Sequence, residues 1–143
     1  NPETHLIPLV LQVPLGKRDH ISIFGNDYPT NDGTCIRDYI HVEDLASAHI
    51  KAIDYLLKGN DSNIFNLGTG VGHSVLEVIN TSEKIAKKSI KKELAARRPG
   101  DPSILVASNK KAKEILGWEN KKDLEDIISS AYNFHKNNPD GLK

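Results

Sequence analysis

The chain has 143 residues, room for one modest domain with its own core. Hydrophobic residues make up 38% and charged residues 27%, the balance of a globular chain rather than a disordered one, and no apolar run approaches the roughly 20 residues that span a bilayer. The formal net charge is zero, which removes the electrostatic footprint of a nucleic-acid binder and supplies no polybasic run for a membrane surface.

In chain order, residues 6–15 are apolar with a weak helical period that stops at Gly16. Residues 21–24 (ISIF) alternate and are rich in β-formers, predicting a short strand. Residues 25–34 are crowded with Gly, Asn, Asp and Pro and read as a loop, followed by a second short strand over 36–42. The clearest helix is 43–58, with Leu45, Ala48, Ala52, Ile53, Leu56 and Leu57 on one stripe. Glu43 and Asp44 complement its dipole, and Gly59 follows as a C′ residue. Residues 63–67 read as a buried strand and 68–73 as a tight turn. Ser74-Val75-Leu76-Glu77 fits a capping box that opens a helix to about residue 88. A strand over 90–95, a polar loop over 97–102, a short helix over 109–116 stopped by Gly117 and a final amphipathic helix over 123–136 complete the pass. Strands alternating with helices give an α/β class. The basic cluster of residues 84–92 reads as a solvated face.

Cys35 is the single cysteine, so no intrachain disulfide forms, and a reducing, cytoplasmic setting is the expectation. The chain contains no methionine and opens on Asn1-Pro2-Glu3, so we expect a processed product or a piece of a longer protein.

Three stretches are candidates for chemistry. Gly68-Thr69-Gly70-Val71-Gly72 lies between a strand and a helix, the setting of a dinucleotide turn, but the third fingerprint position is His73. A tight turn that needs glycine for its backbone is the plainer reading. Arg97-Arg98-Pro99-Gly100-Asp101 places two of the chain's four arginines in one loop. Guanidinium grips phosphate bidentately and a nearby carboxylate accepts from ribose hydroxyls, although a surface ion-pair loop fits equally well. Arg37 lies between the polar loop and the best helix, where pairing with Asp38 or Asp44 is the plain alternative; Asp44 fits a helix cap equally well. The six histidines show no metal-ligand spacing, and neither a Walker loop nor a Gly-x-Ser-x-Gly elbow is present.

The run from Gly33 to Ala46, GTCIRDYIHVEDLA, resembles the signature of extended short-chain dehydrogenase/reductase enzymes acting on nucleotide sugars. The preceding Ile23 to Thr34 stretch, IFGNDYPTNDGT, resembles the corresponding loop of the UDP-glucose 4-epimerase family, and Phe65-Asn66-Leu67-Gly68, Arg97-Arg98-Pro99-Gly100-Asp101 and Leu116-Gly117-Trp118 follow in that family's order. The resemblance implies a fold: residues 1–143 as the C-terminal nucleotide-sugar-binding region, a small mixed sheet with helices, lacking most of the Rossmann sheet. It also implies roles. His5 and Leu6 stand near the uracil, and Ser22, Ile23 and Phe24 receive its ring. Arg37 and Arg98 hold the diphosphate and Asp101 the ribose. Leu105 occupies a position that bears on whether N-acetylated sugars fit, here favouring UDP-glucose and UDP-galactose.

The departures are equally specific. The NAD fingerprint and the catalytic Tyr-x-x-x-Lys pair of the family precede this region, so no catalytic, cofactor-binding or metal residue is assigned in it, and NAD belongs to the complete enzyme. Tyr132 and Lys136 match the bare spacing but lie out of family order. The implied partners are the UDP-sugar, the N-terminal half or an equivalent chain, and a second subunit meeting the enzyme through that half. The strand at 63–67 and the helix at 43–58 would then lose neighbours and leave an apolar patch exposed, with poor stability or association as the result. Two other readings stay open: a dehydratase or decarboxylase of the same superfamily, and a nucleotide-sugar-binding module without catalysis.

Overall fold

The computed structural model describes residues 3–139 and 141 of the chain. Among them the element order is α1 (Leu6–Gln12), β1 (Ile21–Phe24), β2 (Ile36–Asp38), α2 (Val42–Leu57), β3 (Gly72–Ser74), α3 (Val75–Ala86), β4 (Lys92–Ala95), β5 (Ile104–Leu105), α4 (Lys110–Leu116) and α5 (Leu124–Asn137). Two small sheets form: β1 pairs in parallel with β4, and β2 lies between antiparallel β3 and parallel β5. The segment between Ala95 and Ile104 leaves the first sheet and enters the second.

The main core lies where α1, α3 and α5 cover β1. Val10 and Leu11 from α1, Ile21 and Ile23 from β1, Val78 and Ile79 from α3 and Ile128 from α5 are buried together. Both long helices of this core start on reciprocal caps. Ser74 Oγ accepts from Glu77 N while Glu77 accepts from Ser74 N, and Asp123 and Asp126 repeat the arrangement on α5. Each cap satisfies amide donors that a helix N-terminus otherwise leaves orphaned. A second cluster joins Ala48 of α2, Ala112 of α4 and the fully buried Trp118. Trp118 Nε1 donates to Asp44 O and Ser47 Oγ, both at 3.0 Å, so the indole is buried with its polar atom satisfied.

Several sequence expectations need correction. Residues 63–67 form no strand, and Ile64 is 83% exposed. A strand exists only against a hydrogen-bonding neighbour, and no described residue offers one. On the α2 stripe, Ala48 is buried but Ile53, Leu56 and Leu57 are exposed, because no element among the described residues covers that side. Ile50 of the same helix and Ile64 beyond it are exposed as well, so the apolar exposure expected of both segments is present. The strand expected over 36–42 stops at Asp38, and His41 instead caps α2 by accepting from Glu43 N at 3.1 Å. Asp44 is not the cap: its buried carboxylate accepts from Lys121 N and Lys122 N, each at 3.0 Å. The turn expected over 68–73 yields to β3 at Gly72, and β5 lies between the expected loop and short helix, where no element is predicted.

Candidate functional site

A cavity of about 590 Å³ opens between the N-terminal end of α1, the free edge of β1 and the loop that joins the two sheets. Its walls include His5, Leu6, Ser22, Ile23, Phe24, Arg37, Arg98 and Asp101, the eight residues singled out as UDP contacts. Leu105 does not line it; it pairs with Arg37 across β2 and β5 and is 60% exposed.

β1 contributes a hydrogen-bonding edge. Ile21 N donates to Lys91 O and Gly25 N to Ala95 O, each at 2.9 Å, so alternate amides face β4. The intervening backbone groups of Ser22 and Phe24 therefore point away from β4, towards the cavity that both residues line. This is a strip of donors and acceptors with no ladder partner among the described residues, suited to the edge of a planar heterocycle.

The charged wall is built from both sheets. Arg37 Nη2 meets Asp101 Oδ1 at 2.5 Å, and Arg37 Nη1 donates to Ile36 O at 2.7 Å, so the guanidinium is held in one orientation. Its partner is thus Asp101, 64 residues away, and neither Asp38 nor Asp44. Arg98 stacks over the Phe24 ring at 3.9 Å, and no described carboxylate pairs with it. Its neighbour Arg97 turns the other way. Arg97 Nε meets Asp27 Oδ1 at 2.6 Å, its Nη2 donates to Asp27 O at 2.5 Å, and its guanidinium covers Tyr28 at 4.1 Å. The hydrogen bond from Arg97 holds the Asp27 carboxyl below its usual range. One arginine of the pair is an ion-pair clamp on the 25–34 loop, and the other faces the cavity.

That loop is fixed internally. Gly33 has φ +79°, and a Cβ there would stand 2.0 Å from Asn26 O, so only glycine closes it. Burial raises the Asp32 carboxyl, but hydrogen bonds from Ser74 Oγ, Thr34 N and Thr34 Oγ1 outweigh it and leave its pKa below the ordinary value.

Sequence reasoning missed Thr4, Arg18, Cys35, Tyr39 and Val75, which also line the cavity. Burial pushes the Tyr39 phenol up to about 12, so it remains a neutral donor. The signal for Arg18 was available: with Arg37, Arg97 and Arg98 assigned, it is the remaining arginine of the chain.

An α/β region with an arginine-walled cavity beside a strand edge unpaired among the described residues is an architecture suited to an anionic ligand that carries a planar ring. The chain belongs to the family described as GDP-mannose 4,6 dehydratase, which matches residues 1–131. Within that breadth it is similar to UDP-glucose 4-epimerases. It is 50% identical over 143 residues to the enzyme of Lacticaseibacillus casei, covering 99% of this chain and 43% of that protein. A crystal structure of a UDP-glucose 4-epimerase matches with a TM-score of 0.96 at 52% identity, over 99% of this chain and 44% of that one. The Bifidobacterium longum UDP-glucose 4-epimerase in complex with NAD+ and UDP matches with a TM-score of 0.89 at 41% identity, over 96% of this chain and 41% of that one. The chain thus spans about two-fifths of the length of these relatives and corresponds to their C-terminal portion.

The Gly68–Gly72 turn does not offer the cradle of a dinucleotide fingerprint. In the Gly68–Gly72 turn, Thr69 N and Gly70 N donate to the Asp38 carboxylate at 2.9 and 3.0 Å, so the amides that would cradle a pyrophosphate are taken. A Cβ on Gly68 would stand 2.6 Å from Asp38 Oδ2, so this glycine serves packing inside the chain.

Proposed function

We propose that residues 1–143 form the UDP-sugar-binding region of a UDP-glucose 4-epimerase, which as a complete enzyme interconverts UDP-glucose and UDP-galactose with NAD held by a region outside this chain. The observation that carries this reading is convergence: eight residues drawn from α1, β1, β2 and the 97–102 loop face one cavity. His5, Leu6 and the Ser22–Phe24 edge take the uracil. Arg37 and Arg98 neutralise the diphosphate, and Asp101, one oxygen already engaged by Arg37, offers the other to a ribose hydroxyl. Their work is binding and orientation, so that the hexose is presented where the rest of the enzyme acts on it. Leu105, outside the cavity wall, is assigned to the sugar end, where it favours unmodified hexoses over N-acetylated ones.

The isolated chain is inactive on this reading, and the complete enzyme, a cytoplasmic homodimer, assembles through the region outside it. The partner of the exposed α2 face is that N-terminal region, whose apolar surface would cover Ile50, Ile53, Leu56 and Leu57. Calorimetric titration of the chain with UDP-galactose tests the site. Binding is expected, and Arg98→Ala should weaken it roughly 10-fold or more by removing a charge-assisted contact. A folded chain that ignores UDP-galactose defeats the proposal.

A further inference from the structure

Arg18 lies three residues before β1 and lines the same cavity as His5 and Ser22. Its Nε donates to Gln12 Oε1 at 3.4 Å, a long contact, and the other guanidinium N–H groups have no partner among the described residues. No described carboxylate pairs with it either. Its position along β1 separates it from the other cationic groups. Arg98 is stacked over Phe24 at the far end of the strand, and from Ile21 to Phe24 a strand covers roughly 10 Å. A nucleotide whose phosphates lie at Arg37 and Arg98 and whose base follows the free edge of β1 brings the outer edge of that base towards Arg18.

We propose that Arg18 reads the base, donating to a carbonyl oxygen on its outer edge and so selecting uracil over cytosine. The inference rests on the reading of the cavity as a UDP site. Guanidinium has donors and no acceptor. Against a uracil carbonyl the match is complementary; against the amino group of cytosine two donors face each other and one is left unpaired. The backbone groups of Ser22 and Phe24 offer donors and acceptors to either pyrimidine, so they hold the base without enforcing this choice.

The test is calorimetric titration of the chain, Arg18→Ala and Arg98→Ala with UDP and with CDP at one salt concentration. The parent chain should prefer UDP. Arg18→Ala should lower UDP affinity ~10-fold, leave CDP affinity unchanged and so collapse the preference. Arg98→Ala should weaken both nucleotides alike. Equal losses for UDP and CDP in Arg18→Ala would reduce Arg18 to long-range attraction and overturn the inference while the site stands. Base selection by Arg18 is equally overturned if Arg18→Ala changes neither affinity, or if the parent chain binds both nucleotides equally. Absence of binding to either nucleotide by the parent chain overturns the site and the inference together. Arg18 is exposed, so its removal leaves the core intact.

Discussion

Adjacent in sequence to Arg37, Asp38 turns away from it and becomes the anchor of two other segments. Its carboxylate accepts from Thr69 N, Thr69 Oγ1 and Gly70 N at 2.8–3.0 Å and from Ala107 N at 3.3 Å. Truncation strands several amide donors at once, so Asp38→Ala should cost about 3 kcal/mol in urea unfolding, whereas a loss below about 1 kcal/mol would show that water replaces the carboxylate. The same motif places Asp44 against Lys121 N and Lys122 N, so two of its acids are architectural. Tyr39 has a distinct signature. Its folded pKa, raised by burial to about 12, lies above the unfolded value. The folded state therefore holds its proton longer, and the associated stability is full below roughly pH 10 and is lost as pH rises towards 12. Chemical denaturation across that range should show a loss on the order of 2 kcal/mol that Tyr39→Phe abolishes. An identical alkaline slope in the variant would assign the loss to other groups.

At the scale of elements, α3 and α5 were legible because their signals are local. Ser74 with Glu77 and Asp123 with Asp126 lie three residues apart, and each pair forms its reciprocal cap. Ser74 has a second duty that spacing does not reveal, since its hydroxyl also reaches Asp32 across 42 residues. Asp123→Ala should therefore cost about 1 kcal/mol and Ser74→Ala about 2 kcal/mol, compared by thermal unfolding; equal costs would mean that the contact with Asp32 contributes nothing. Elements defined by distant partners were not legible. The two residues of β5 count as strand only because Ile36 and Arg37 lie beside them. Residues 63–67 have the apolar content of a strand and no partner among the described residues. The pairing of Arg37 with Asp101 was equally hidden, because its neighbours Asp38 and Asp44 are nearer in sequence. The family resemblance supplied names that periodicity did not: eight of its residues line the cavity and one, Leu105, does not.

For the whole molecule, the exposed side of α2 is the dominant feature. Leu57 is 81% exposed, and Ile50, Ile53 and Leu56 lie open beside it. A patch of this kind on an isolated chain drives association. Sedimentation should show concentration-dependent self-association that Ile53→Lys together with Leu57→Lys suppresses; a parent chain that stays monomeric at high concentration counts against this. The cavity, by contrast, is walled by residues on both sheets. β1 supplies one side, Arg37 on β2 the other, and the strap from Ala95 to Ile104 that carries Arg98 and Asp101 is the piece of chain passing between them. An occupant lying in that seam would act as a tie-bar. It would make the two sheets move as one body and leave the empty chain free to breathe along the line where they meet.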